Sequence, residues 1–145
     1  MPLELLIFVG LQAAGKSTYY RNHLAATHVH VSKDLMTNVR DKDARQQRTI
    51  AEALGAGRSV AVDNTHPTPL SRAPLIELGH RLGARVVGVY FETIVKDAVA
   101  RNRLREGKAR VPDVAIYVAA KKLVKPTLEE GFDDIRTIPP LTGLE

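Results

Sequence analysis

The stretch Gly10-Leu-Gln-Ala-Ala-Gly15-Lys16-Ser17 sets two glycines, a lysine and a hydroxyl in one loop, directly after an apolar run over residues 3–9. A strand, such a loop and then a helix is the setting in which backbone holds phosphate. Glycines let the chain curl until successive N–H groups point at one anion, and the helix that follows offers its positive end to the same charge. Lys16 is expected at the β- and γ-phosphates of a nucleotide and the Ser17 hydroxyl on Mg²⁺. The expected cradle is Gly10, Gln12, Ala13, Ala14, Gly15, Lys16, Ser17 and Thr18. Guanine recognition calls for an Asn/Thr-Lys-x-Asp segment after a late strand. None follows residues 84–92, so the expected nucleotide is ATP.

A nucleotide needs an acceptor, and three further stretches could serve one. Asp34, in Val-Ser-Lys-Asp at the end of a short alternating strand, could take the proton from an attacking hydroxyl. The same spacing also suits Ser32 as a helix cap, with Asp34 facing the helix dipole. Asp63, ending Ser-Val-Ala-Val-Asp, could hold Mg²⁺ or could shape the turn before Pro67. His66, on that turn, has no partners at ligand spacing and is not expected to bind metal. Arg101 and Arg105 lie four apart and lead into a basic, Gly-containing loop, so residues 101–112 read as a flap that closes over transferring phosphate or as a solvated basic helix. Arg45 and Arg48 could track a nucleic-acid backbone or simply face water.

These side chains need a frame. Apolar runs at 3–9, 59–63 and 84–92, with weaker strands at 28–31 and 132–138, alternate with helical patterns at 16–26, 32–54, 70–82, 94–105 and 113–124. Strands alternating with helices give parallel units, hence an α/β fold: a P-loop NTPase-type parallel sheet of about five strands, flanked by helices and bearing a helical lid. The 145 residues read as one domain, with 139–145 a loose tail. They are 44% hydrophobic and 26% charged, the range of a folded domain. A net charge of +5 draws polyanions only weakly, since five charges on one domain can also be a solvated surface. With no cysteine, disulfides and thiolate metal sites are excluded. The opening apolar run is too short for a membrane span and lacks a basic leader, so a cytoplasmic location is expected.

The blocks "GLQAAGKST", "VSKD", "VDNTHP" and "RNRLREGKARVPDVAIYVAAKKLVKPTLEEGFDDI" run in one order and together resemble the 5′-hydroxyl polynucleotide kinase family. The last block is especially similar to the kinase half of polynucleotide kinase–phosphatase. The resemblance implies ATP and Mg²⁺ as cofactors and 5′-OH ends of DNA or RNA as acceptor, a nucleic acid repair chemistry. It implies Asp34 as general base, Lys16 as phosphate ligand and Ser17 as metal ligand, with Asp63 in support. Arg105 is implied at the donor phosphates, with Arg101 its companion. In phage-type members an arginine one turn after the aspartate grips the acceptor; here that place is Thr37, with Arg40 a turn further on. The phosphatase signature is absent, since "DKDAR" lacks the Asp-x-Asp-Gly-Thr form. Two other readings share the scaffold: a small-metabolite kinase of the gluconate-kinase or antibiotic-phosphotransferase kind, and a module that binds ATP without transferring it. Partner domains, oligomeric state and the choice between DNA and RNA are not specified by any residue pattern.

Overall fold

The structure, a computed structural model, describes residues 2–141; Met1 and residues 142–145 of the expected tail lie outside them. Five strands, β1 (Glu4–Val9), β2 (His28–Val31), β3 (Ser59–Val62), β4 (Arg85–Phe91) and β5 (Asp134–Ile138), pair in parallel in the order β2-β3-β1-β4-β5. Central β1 bonds β3 on one side, with Leu6 opposite Ala61, and β4 on the other, from Glu4 opposite Arg85 to Val9 opposite Tyr90. A parallel strand enclosed this way is buried on both faces, which is why residues 3–9 read as a continuous apolar run.

Side-chain alternation along β1 divides the core into two layers. Leu5 and Ile7 pack with Ile50 and Leu54 of α2 (Lys42–Gly55) and Leu75, Ile76 and Leu78 of α3 (Pro69–Arg81). Leu6 and Phe8 point the other way, toward Tyr20 of α1 (Lys16–His23) and Leu24. Helix α3 lies against the sheet with no room to spare, since a Cβ at Gly79 would meet Val86 Cγ2 at 2.6 Å. A third cluster joins Leu11 and Ala13 of the glycine loop to Ala98 and Val99 of α4 (Val95–Arg103) and Ile116 of α5 (Asp113–Lys122). The nucleotide loop and the arm built from α4 and α5 therefore share one small core.

The long helix expected over 32–54 is interrupted. Ser32 Oγ accepts from Asp34 N–H and closes a 3-10 turn at Lys33–Leu35, Met36 is extended and Asn38 takes φ 57°. Helix α2 begins only where Asp41 caps it, its carboxylate accepting from Ala44 N–H at 3.1 Å. Asp is a strong helix starter, so the polar stretch that looked like one helix contains its own break. Arg40, counted as a turn beyond Thr37, lies ahead of α2 on this broken stretch and does not line the site described next.

Candidate active site

The carboxyl ends of β1, β2 and β3 open into one cleft of about 1310 Å³. The strand order produces this convergence. Strands β1, β3 and β2 are neighbours, so the loop after β1, the Asp63 turn after β3 and the Asp34 turn after β2 stand side by side. Gln12 through Thr18 line the cleft, as do Asp34, Asp63 and Arg105.

The loop has the backbone that phosphate binding requires. Ala13 and Gly15 take left-handed φ values of 63° and 93°, and Gly15 caps α1 with no side chain in the way. Gly10 sits behind the cradle, where a Cβ would meet Phe91 Cβ at 3.0 Å, and its N–H donates to Thr65 O. The Lys16 ammonium lies along the loop, donating to Gly10 O at 2.9 Å and Leu11 O at 2.7 Å. Burial lowers its pKa to about 8; Asp63 draws it back up, Arg105 pushes it down and Asp34 raises it. Those three charges are felt at one nitrogen because all face the same pocket.

Asp63 is 4% exposed and its Oδ2 takes two bonds, one from Ser17 Oγ–H at 2.6 Å and one from His30 Nε2–H at 2.9 Å. Burial raises the carboxyl's proton affinity, yet the bonds from His30 and Ser17 and the Lys16 charge outweigh it and hold Asp63 below the usual carboxylate range. An ionised carboxylate beside a hydroxyl at the mouth of a phosphate loop is an oxygen donor set that suits Mg²⁺. No group of three His, Cys, Asp or Glu able to hold a metal occurs among the described residues. Mg²⁺ on a nucleotide needs none, since phosphates and waters fill its remaining positions.

Across the cleft, Asp34 is exposed on its capped 3-10 turn. That turn is tied down by Asn64, whose Oδ1 accepts from Lys33 N–H at 3.0 Å and whose Nδ2 donates to Gln46 Oε1 at 2.7 Å. Asn64 thus links β3, α2 and the Asp34 turn. Lys33 pairs with Asp43, and Thr37, Asn38, Lys42 and Gln47 complete this side of the cleft. Arg45 and Arg48 are exposed and stand outside the lining.

A family model described as an AAA domain matches residues 5–125. The chain belongs to this AAA-domain family. Among curated proteins, the AAA domain is 28% identical to a protein of Acanthamoeba polyphaga mimivirus that is provisionally described as a bifunctional polynucleotide phosphatase/kinase, over 93% of this chain and 33% of that protein. It is 24% identical to the bifunctional polynucleotide phosphatase/kinase of Schizosaccharomyces pombe, over 94% of this chain and 33% of that one. The chain therefore spans about a third of the length of the curated relatives it matches. Among solved structures it resembles a sugar kinase from a Janibacter species, with a TM-score of 0.70 and 15% identity over 95% of this chain and 86% of that one. The fold is that of P-loop kinases.

The arm of this AAA domain is held by residues of the last resembling block to which sequence reasoning assigned no role of their own. Asn102 is fully buried; its Nδ2 donates to Val111 O at 2.6 Å and its Oδ1 accepts from Val111 N–H at 3.0 Å, closing the loop that carries Arg105. Arg103 pairs with Asp113 at 2.8 Å across the loop's base. Arg105 is half-buried and donates to Ala109 O at 3.3 Å; burial lowers its pKa while Asp34 raises it. Arg101 is placed elsewhere. Its Nε donates to Ala13 O at 2.8 Å, so it braces the glycine loop from beneath and does not line the cleft.

His66 is buried, with Nδ1–H donating to Phe8 O at 2.6 Å, and burial lowers its pKa to about 4. It pins the Asp63 turn to the end of β1. Arg72, fully buried, then ties His66 O to Glu130, Pro67 and Val124. Sequence reasoning missed His30, Asn64 as a clamp, Asn102 and Arg72. His30, Asn64 and Arg72 work through contacts between segments far apart in the chain, whereas Asn102 bridges nine residues to Val111. A local signal for His30 was alternation in His-Val-His-Val, which puts His28 and His30 on a common face of β2.

Proposed function

We propose that this protein is an ATP-dependent kinase that phosphorylates the 5′-hydroxyl end of a polynucleotide. The observation that carries the reading is the single cleft lined by the phosphate loop, the exposed carboxylate of Asp34 and the guanidinium of Arg105. Both Asp34 and Arg105 are close enough to alter the proton affinity of Lys16. The described likeness to polynucleotide phosphatase/kinases over almost the whole chain supports this acceptor.

In the proposed reaction the backbone of residues 12–18 seats the β- and γ-phosphates. Ser17 and Asp63 would hold Mg²⁺, which would supply charge neutralisation to the phosphates when bound. Asp34 accepts the proton of the 5′-hydroxyl as its oxygen bonds to the γ-phosphorus. The bond from that phosphorus to the β–γ bridging oxygen breaks, and ADP leaves. Lys16 swings from the loop carbonyls to the phosphates, and Arg105 closes over the charge that builds on the transferring group. Lys42 and Lys108, which both line the cleft, are suited to the backbone of the incoming strand.

A sugar or other small metabolite is the competing acceptor, favoured by the likeness to a sugar kinase over most of that chain's length. One experiment separates the readings. The protein is incubated with γ-labelled ATP and Mg²⁺ against 5′-OH DNA, 5′-OH RNA, nucleosides and sugars. Label on an oligonucleotide's 5′ end is expected, while label on sugars alone would replace the proposal with the competitor. Tight ATP binding with no acceptor stimulating turnover would remove the kinase reading altogether.

A further inference from the structure

We infer that His30 is a positioning residue for the divalent cation, acting through Asp63. This rests on the reading above, in which Ser17 and Asp63 hold that cation. An ionised carboxylate only accepts, so the 2.9 Å contact with Asp63 Oδ2 requires a proton on His30 Nε2. The ring is held from a second side as well. Tyr20 stacks on it at 4.2 Å between centroids, 17° from parallel. The Tyr20 hydroxyl donates to His28 O at 2.6 Å, so the stacking ring is fastened to the strand that carries His30. His30 is therefore a rigid donor whose direction is set by α1 and β2 together.

That rigidity has a consequence for Asp63. Ser17 and His30 both donate to Oδ2, which restrains the carboxylate and leaves Oδ1 with no donor among the described residues, on a side chain that lines the cleft. Ser17 spends its proton on Asp63 and keeps its lone pairs for a cation. Without His30 the carboxylate would be steered by Ser17 alone, a residue at the exposed start of α1 and itself a cation ligand. Groups that orient metal-bound carboxylates and histidines typically change metal affinity by about 10- to 100-fold when removed.

The test measures cation binding directly. Mn²⁺ is titrated into the protein with ADP and the free ion is read by electron paramagnetic resonance, for wild type, His30→Ala, His30→Asn and His30→Gln. The Gln amide nitrogen reaches the place of Nε2; the Asn amide falls short of it. The expected result is a Kd for Mn²⁺ raised on the order of 10-fold or more in the Ala and Asn variants, largely recovered in the Gln variant, with ADP affinity in the absence of metal unchanged. A Kd within twofold of wild type in His30→Asn, whatever its melting temperature, would overturn the inference and leave His30 a packing residue. Absence of Mn²⁺ binding by wild type with ADP would instead remove the cation reading of Ser17 and Asp63 on which it rests. If the Ala variant does not fold, the Asn and Gln pair carries the test.

Discussion

Lys16 and Asp63, on the donor side of the cleft, are 9% and 4% exposed, and each is held by two short hydrogen bonds. Asp34 and Lys42, on the facing side, are exposed, and the turn that carries Asp34 is fixed through its backbone by Ser32 and Asn64. The two walls solve different problems. A phosphate is small and always the same, so its site is built in advance from backbone and buried charge. On the proposed reading an acceptor that is part of a long chain would enter from solvent, and the wall facing it is the open one, which relies on clamps behind the surface.

The comparison breaks most sharply at Asp34. Asp34→Asn keeps shape and removes the proposed base, so transfer should fall by about 10²- to 10⁴-fold. The melting-temperature rise produced by Mg·ADP should match that of wild type, because the donor wall is intact. Retention of near-normal transfer would take the base away from this residue.

Arg105→Ala tests the third element, the arm. Loss of one donor to a developing oxyanion costs on the order of 10²- to 10³-fold in kcat, and Arg105→Lys should recover little because the planar fork is lost. Unchanged kcat with a raised KM for ATP would make Arg105 a binding residue alone.

The donor wall rests on His66, and acid should find it. Its folded pKa of about 4 lies below the unfolded value of 6.5, so the unfolded state takes up the proton first. Stability is whole above about pH 6.5, declines as the pH falls toward 4, and loses no more below that on this account. The window is worth about 3 kcal/mol. Urea unfolding between pH 7 and 4 should show this decline, reduced in His66→Gln.

Lys16 supplies the alkaline counterpart, for binding. With its pKa near 8, the nucleotide-free protein holds a charged Lys16 below that pH and a neutral one above it. Affinity for ATP should therefore weaken as pH rises past 8, by up to about tenfold per unit, in isothermal titration. A flat profile from 7 to 9.5 would show that Lys16 contributes no charge to binding.

Asn64→Ala should give the smallest effect. Loss of the bonds to Lys33 and Gln46 loosens the Asp34 turn at a cost of about 1–3 kcal/mol in stability. The acceptor KM should rise several-fold while the KM for ATP stays put, which initial-rate kinetics would separate.

Much of the donor wall was legible in the sequence because it is local. The glycines, Lys16 and Ser17 stand within one loop, and the strand before and helix after them follow from hydrophobic pattern and capping. Asp34, Asp63 and Arg105 were legible as candidates, since each ends a strand or a helix. Their arrival in one cleft was decided by strand order, which places β3 between β1 and β2. The break at residues 36–41 escaped notice because a polar stretch has helical composition whether or not an Asp cap interrupts it. Arg101 looked the equal of Arg105 at helical spacing, yet it reaches the carbonyl of Ala13 from behind the loop.

By itself the chain determined an alternating α/β fold and a loop shaped for phosphate, because both arise from interactions between residues near one another in sequence. The tertiary structure alone decided which charges meet, and it did so through long-range contacts: Ser17 with Asp63, His30 with Asp63, Asn64 with Lys33 and Arg72 with Glu130. Each joins segments about thirty residues apart or more. Such pairs leave no periodic trace, because their geometry exists only after the sheet has set the order of its strands.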